Sequence, residues 1–233
     1  MKPWYKEIGF HSNPFSIKPL AFHEEIFGYD TQNIINKIND GQVILIEGAY
    51  GKGKTTILKK IIRAFGGQRK LIYYSCNRTE DTIDFDNVMK GRWGALGKVF
   101  GTKGSDLIIL LDEAQDMKTA DAQVLKDYYK KHFKSIVLVT HDAHKVTGLN
   151  GIVDLIGDNV IKLEELDADD AIRIVRKRIG SIKLLSDDMI KKIFDVSHKN
   201  PRQLLKNCED VCRYAINNGY EEVKEQHLSI LKR

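Results

Sequence analysis

Gly48-Ala49-Tyr50-Gly51-Lys52-Gly53-Lys54-Thr55 follows the spacing G-x-x-x-x-G-K-[ST], and its flanks give that spacing a structural meaning. Val43-Ile44-Leu45-Ile46 runs into it as an unbroken apolar stretch, the pattern of a strand buried on both faces. Ile57, Leu58, Ile61 and Ile62 follow it at helical spacing. Strand, glycine-rich loop and helix in this order are what a phosphate-binding loop needs. The glycines let the backbone turn its N–H groups toward phosphate oxygens, and the helix N-terminus adds positive partial charge. On this reading Gly48, Ala49, Tyr50, Gly51, Lys52, Gly53, Lys54, Thr55 and Thr56 surround the phosphates of a nucleotide. Lys54 reaches the β- and γ-phosphates, and the Thr55 hydroxyl ligates Mg²⁺. A Gly/Lys-rich surface turn shares the letters but not the strand before and the helix after.

The second motif lies downstream. Leu107-Ile108-Ile109-Leu110-Leu111 is the most apolar run in the chain and ends in Asp112-Glu113-Ala114-Gln115-Asp116. A run this short suits a central parallel strand, and its C-terminal end is where ligands bind in open α/β sheets. Asp112 is placed to hold the Mg²⁺ shell and Glu113 to polarise an attacking water. Two acids at a helix start, favoured by the helix dipole, are the alternative; the complete phosphate loop upstream argues against it.

The 233 residues suffice for one α/β unit and a smaller second domain. A charged fraction of 30%, a hydrophobic fraction of 42% and the lack of any apolar stretch of membrane-spanning length describe a water-soluble globular chain. The start Met1-Lys2-Pro3-Trp4-Tyr5-Lys6 has no signal-peptide apolar core, so a cytoplasmic location is expected. A net charge of +5 is compatible with nucleic acid without pointing to it. Cys76, Cys208 and Cys212 are too few and scattered for a disulfide framework. His141 and His144 form H-x-x-H with no further Cys or His close by to complete a zinc site.

Along the chain, residues 1–29 read as an N-terminal arm packed on the nucleotide-binding core, which itself spans 30–166. Thr31–Asn39 reads as a helix, and strands are expected at Val43–Ile46, Lys70–Ser75, Leu107–Leu111, Ser135–Thr140 and Val160–Leu163, with a helix over Ala120–His132. Strands alternating with helices imply βαβ units and a mostly parallel, five-stranded sheet. From Asp167 only helical periods remain, so 167–233 reads as a small all-helical lid domain. Asp167 or Asp169 caps Ala171–Ile179, Ser186 opens Met189–Val196, Asn200-Pro201 opens a helix to about Ile216, and a short helix spans Glu222–Leu231.

The phosphate loop, the Asp112-Glu113-Ala114-Gln115 segment and Asn200-Pro201-Arg202 together resemble an AAA+ ATPase, a P-loop NTPase core with a helical lid. Within that superfamily the chain resembles the origin-recognition and the transposition- or secretion-helper branches; Phe10–Pro19 with Phe27-Gly28-Tyr29 is similar to the N-terminal segment of the helpers. The resemblance implies ATP and Mg²⁺ as cofactors and an ATPase activity with Lys54, Glu113 and Arg202 in catalytic roles. It also implies a γ-phosphate sensor at the end of the fourth strand, Thr140 or His141, and a second sensor at Arg202 on the lid. Tyr29 would line the adenine pocket. The implied partner is DNA or a DNA-bound protein. The origin-recognition relatives carry a winged-helix reader after the lid, while this sequence ends at Arg233, so sequence-specific DNA recognition is not expected of it.

One departure matters. The family usually carries an arginine finger between the fourth strand and the lid, yet Ser135 to Ile172 contains no arginine. Lys145 and Lys162 are its lysines, and a lysine does not replace a planar bidentate clamp. Arg92 or Arg173 could serve instead; otherwise partner-stimulated hydrolysis is weak and the chain acts as a nucleotide-gated binding module. Met89–Phe100 interleaves basic residues with Trp93 and Phe100, a mix that suits base stacking, though packing of the aromatics on the sheet is favoured. A GTPase is disfavoured because no Asn/Thr-Lys-x-Asp motif for guanine occurs.

Overall fold

The computed structural model describes residues 3–17, 30–66, 70–77, 82–89, 106–142 and 147–231. The chain divides into two compact units: Tyr29–Tyr50 with Lys54–Leu163, and Met1–Gly28 with Gly51–Gly53 and Glu164–Arg233.

The first unit is built on five strands: β1 Val43–Glu47, β2 Leu71–Ser75, β3 Leu107–Asp112, β4 Phe133–Thr140 and β5 Val160–Lys162. They form one sheet in the order β2-β3-β4-β1-β5, and every pairing is parallel. The expected mostly parallel sheet is therefore wholly parallel among the described residues. The apolar runs of β1, β3 and β4 are buried along their length, as strands covered on both faces must be. After the one-turn helix α1 Trp4–Glu7, which belongs to the second unit, helices α2 Thr31–Asn39 and α3 Lys54–Gly66 supply apolar stripes, Ile34 and Ile38 from one and Ile57, Leu58 and Ile61 from the other. Asp30 caps α2 by accepting the N–H groups of Gln32 and Asn33.

Helix α4, Thr119–Tyr128, stops short of the expected His132. Tyr129 is extended and Lys130 has φ of 64°, a left-handed conformation that ends the helix, while the Tyr129 hydroxyl donates to the Gly41 carbonyl at 2.6 Å. The chain thus enters β4 earlier than its apolar run suggested, at Phe133. A short helix α5, Val153–Ile156, precedes β5.

The second unit is helical: α6 Ala168–Ile179, α7 Asp187–Val196 and α8 Pro201–Asn217, ending in a 3₁₀ segment Glu225–Leu231 within the span expected for a short helix. Its helix starts are those written in the sequence. Asp167 accepts the Asp170 N–H at 2.7 Å in a capping box, Ser186 accepts that of Met189, and Asn200 accepts those of Arg202 and Gln203 with Pro201 at the first helical position.

The described residues of the N-terminal arm pack within the helical unit. Trp4 and Phe15 are buried and stacked at 6.2 Å, in one cluster with Ala171, Val175, Ile190 and Val211. The half-buried Arg178 donates to the carbonyls of Pro14 and Ser16, each at 3.0 Å. Burial pushes its guanidinium down to about 10, which leaves it charged at neutral pH. The arm's two aromatics enlarge the apolar core of this small helical unit.

All three cysteines are buried and free, and burial pushes their thiols up, Cys76 and Cys212 to about 12. They act as packing groups.

Candidate functional site

The sheet order decides which side chains meet. β4 lies between β1 and β3, so the C-terminal ends of three adjacent parallel strands deliver Gly48, Thr140-His141 and Asp112-Glu113 side by side. The Gly48 N–H donates to the Thr140 carbonyl at 3.1 Å and carries the β1–β4 pairing into the loop. A Cβ on Gly48 would lie 2.8 Å from Cβ of Leu163, so no larger residue fits there without a shift. Further on, Gly51 and Gly53 have φ of 84° and 95°, values that let the loop backbone turn back on itself. Lys54, Thr55 and Thr56 then open α3.

Lys54 is 7% exposed. Its ammonium donates to the carbonyls of Gly48 and Ala49 and lies 2.9 Å from Nδ1 of His141. Burial pushes its pKa below the usual lysine value, and the carboxylates of Glu113 and Asp112 pull it back up. On the other side of the imidazole, Nε2 lies 2.8 Å from Oε2 of Glu113. The tautomer follows from the partners. An ammonium only donates, so Nδ1 accepts, and the ring proton sits on Nε2 and is donated to Glu113. His141 therefore joins Lys54 to Glu113 through one ring. The exposed Tyr50 ring stands 5.9 Å from that imidazole.

Gln115 fixes the carboxylate from behind. Its Nε2 donates to Oε2 of Glu113, while its Oε1 accepts from the Thr140 hydroxyl at 3.0 Å and the His141 N–H at 3.3 Å. Thr140 is fully buried in this bracing role; the ring beside Lys54 is His141. Glu113 itself has φ of 56° and ψ of 42°, a left-handed conformation uncommon for a side chain of its size. Asp112 accepts the Glu113 N–H on Oδ1 at 3.0 Å and the Tyr73 hydroxyl on Oδ2 at 2.9 Å. Burial and the Asp112 carboxylate push the Tyr73 phenol up to about 12, so it is a donor at neutral pH.

Sequence reasoning named Lys54, Thr55, Asp112, Glu113 and His141, which the first unit brings to one end of the sheet. It overlooked Tyr73 and Gln115. Gln115 was visible as a letter of the acidic motif; Tyr73 was visible only as a position in the expected strand Lys70–Ser75. Arg202 lies in the first turn of α8, in the second unit. Arg173 pairs with Asp170 on α6. Tyr29, Arg92, Trp93, Phe100, His144 and Lys145 lie outside the described residues.

The donor set suits Mg²⁺, a hard cation that takes one or two carboxylates, hydroxyls and phosphate oxygens. Asp112, at the end of β3, would supply the carboxylate and Thr55, exposed in the first turn of α3, the hydroxyl.

Residues 40–148 match a family of proteins described as an AAA domain. Among solved structures, Cdc6p from Pyrobaculum aerophilum is similar with a TM-score of 0.65 at 15% identity, over 92% of this chain and 68% of its own. The Aeropyrum pernix ORC1 protein in complex with DNA gives 0.64 at 15%, over 86% of this chain and 63% of its own. Thermotoga maritima RuvB, solved as a point mutant, gives 0.63 at 13%, over 87% and 70%. At such identities the likeness concerns the fold alone, and this chain spans about two thirds of the length of those proteins. No curated protein matches it in sequence. No helix among the described residues is long and apolar enough to cross a membrane.

Proposed function

We propose that the chain, whose residues 40–148 match an AAA domain family, binds ATP with Mg²⁺ and hydrolyses it to ADP and phosphate. The nucleotide state would then shift the helical unit and change affinity for DNA or a DNA-bound protein. The observation that carries this reading is the His141 ring joining Lys54 to Glu113 beside Asp112: a cation for phosphate, a carboxylate for water and a carboxylate for metal at one strand end.

In the proposed reaction Lys54 gives up its contacts to the Gly48 and Ala49 carbonyls and places its charge on the β- and γ-phosphate oxygens. Glu113, aimed by His141 and Gln115, accepts a hydrogen bond from the water that attacks the γ-phosphorus in line with the departing ADP oxygen. His141 is the residue we assign to γ-phosphate sensing, since Thr140 is buried as a brace. Asp112 and Thr55 would hold Mg²⁺, which when bound neutralises phosphate charge. Arg202 is assigned a second cationic role on the developing charge. Arg202→Ala is expected to lower single-turnover hydrolysis by about 10²-fold while ATP affinity stays within a few-fold; an unchanged rate would remove Arg202 from the mechanism.

The DNA part rests on resemblance alone, and a net charge of +5 is compatible with it. Fluorescence anisotropy with duplex DNA and ATP is expected to show binding that weakens steeply between 50 and about 200 mM salt. No signal, or one indifferent to salt, would remove DNA as the direct partner. A second reading is favoured by the absence of arginine from Ser135 to Ile172: the chain binds ATP as a gate and hydrolyses it poorly by itself.

A further inference from the structure

Tyr73 is a large aromatic on β2, at the outer end of the sheet order, and it is 48% exposed. Packing does not account for such a side chain there. Its register does. Tyr73 pairs with Leu110 and Ser75 with Asp112, so Tyr73 and Asp112 share a face and stand diagonally across neighbouring parallel strands. The phenol has the length to cross that diagonal, and its hydroxyl meets Oδ2 of Asp112 at 2.9 Å. The other oxygen, Oδ1, holds the Glu113 N–H at 3.0 Å. A carboxylate has about four lone-pair sites. One donor on each oxygen fixes the plane of the group and leaves each oxygen able to accept a further partner.

We propose that Tyr73 is a positioning residue for the metal: it holds the Asp112 carboxylate in the orientation that receives Mg²⁺ with the nucleotide. The inference rests on the ATPase reading above and adds to it a residue outside both nucleotide motifs. Asp112 ends its strand, its carbonyl accepting the Cys76 N–H at 2.8 Å, and the Tyr73 hydroxyl restrains its side chain from the neighbouring strand. Partners that orient metal-binding carboxylates typically matter 10- to 100-fold in metal affinity.

The test is a Mg²⁺ titration of the full chain with a fluorescent ATP analogue, in wild type, Tyr73→Phe, Asp112→Asn and the double variant. Tyr73→Phe keeps the ring on a half-exposed position and removes one hydroxyl, so folding should survive; thermal melting checks this. Expected is a rise of about 10-fold in the Mg²⁺ concentration for half-saturation, with analogue affinity in EDTA unchanged. In the Asp112→Asn background, Tyr73→Phe should add little. An unchanged Mg²⁺ requirement, an equal loss in EDTA, or effects that multiply in the double variant would overturn the assignment. Wild type without any Mg²⁺-assisted binding would instead remove the ATPase reading on which it stands.

Discussion

Lys54→Ala is expected to abolish measurable Mg²⁺–ATP binding, a loss on the order of 10²- to 10³-fold in affinity, read by calorimetry or by a fluorescent analogue. The size follows from burial. Lys54 is 7% exposed, and truncating a buried, hydrogen-bonded charge costs about 2–5 kcal/mol of binding free energy. Its ammonium now serves the carbonyls of Gly48 and Ala49 and the His141 ring, all within the first unit. Phosphate oxygens would replace those acceptors with charged ones, which form stronger bonds. The substitution also has a cost without nucleotide. It strips a donor from the two carbonyls and from Nδ1 of His141; of these residues Gly48 is buried, and a buried acceptor left unpaired costs about 1–3 kcal/mol. A modest fall in melting temperature should therefore accompany the loss of ATP binding. Full binding retained in Lys54→Ala would mean that residues 48–55 are not the phosphate cradle, and the proposed function would fall with it.

How much of this was legible in the sequence depended on how local each signal was. The phosphate loop and the acidic strand end are contiguous, and their flanking strands announce themselves as apolar runs. Helix caps at Asp167, Ser186 and Asn200 were equally local, since the side chain and the N–H it accepts lie within three residues. Contacts between strands were another matter. Whether Thr140 or His141 faces the loop lysine depends on the last residue of β4 and on β4 lying between β1 and β3, and neither is written in any one segment. Tyr73 needed the β2–β3 register, because only the pairing of Ser75 with Asp112 shows that the phenol reaches a carboxylate. The arm's packing in the helical unit was not legible because its prolines and mixed polarity give no period. Trp4 and Phe15 advertise burial but not against which partner.

Glu113→Gln separates chemistry from binding, and the expected outcome is ATP affinity within a few-fold of wild type with single-turnover hydrolysis lowered by about 10²- to 10⁴-fold. The carboxylate accepts at once from Nε2 of His141 and Nε2 of Gln115 and must still accept from a water. Glutamine keeps one acceptor oxygen and gains an NH₂ group that only donates, so it cannot meet His141, Gln115 and the water together. It also removes the negative charge that opposes the burial of Lys54, a small effect on binding because the triphosphate brings its own charge. The brace from Thr140 through Gln115 stays intact, so the β3 and β4 ends should hold their places and melting should change little. Wild type and variant hydrolysing equally at background rate, with both binding Mg²⁺–ATP, would select the nucleotide-gated module over the enzyme. Glu113 would then serve the free protein as the anchor for His141, and the bond between that ring and Lys54 would be the contact that ATP binding has to break.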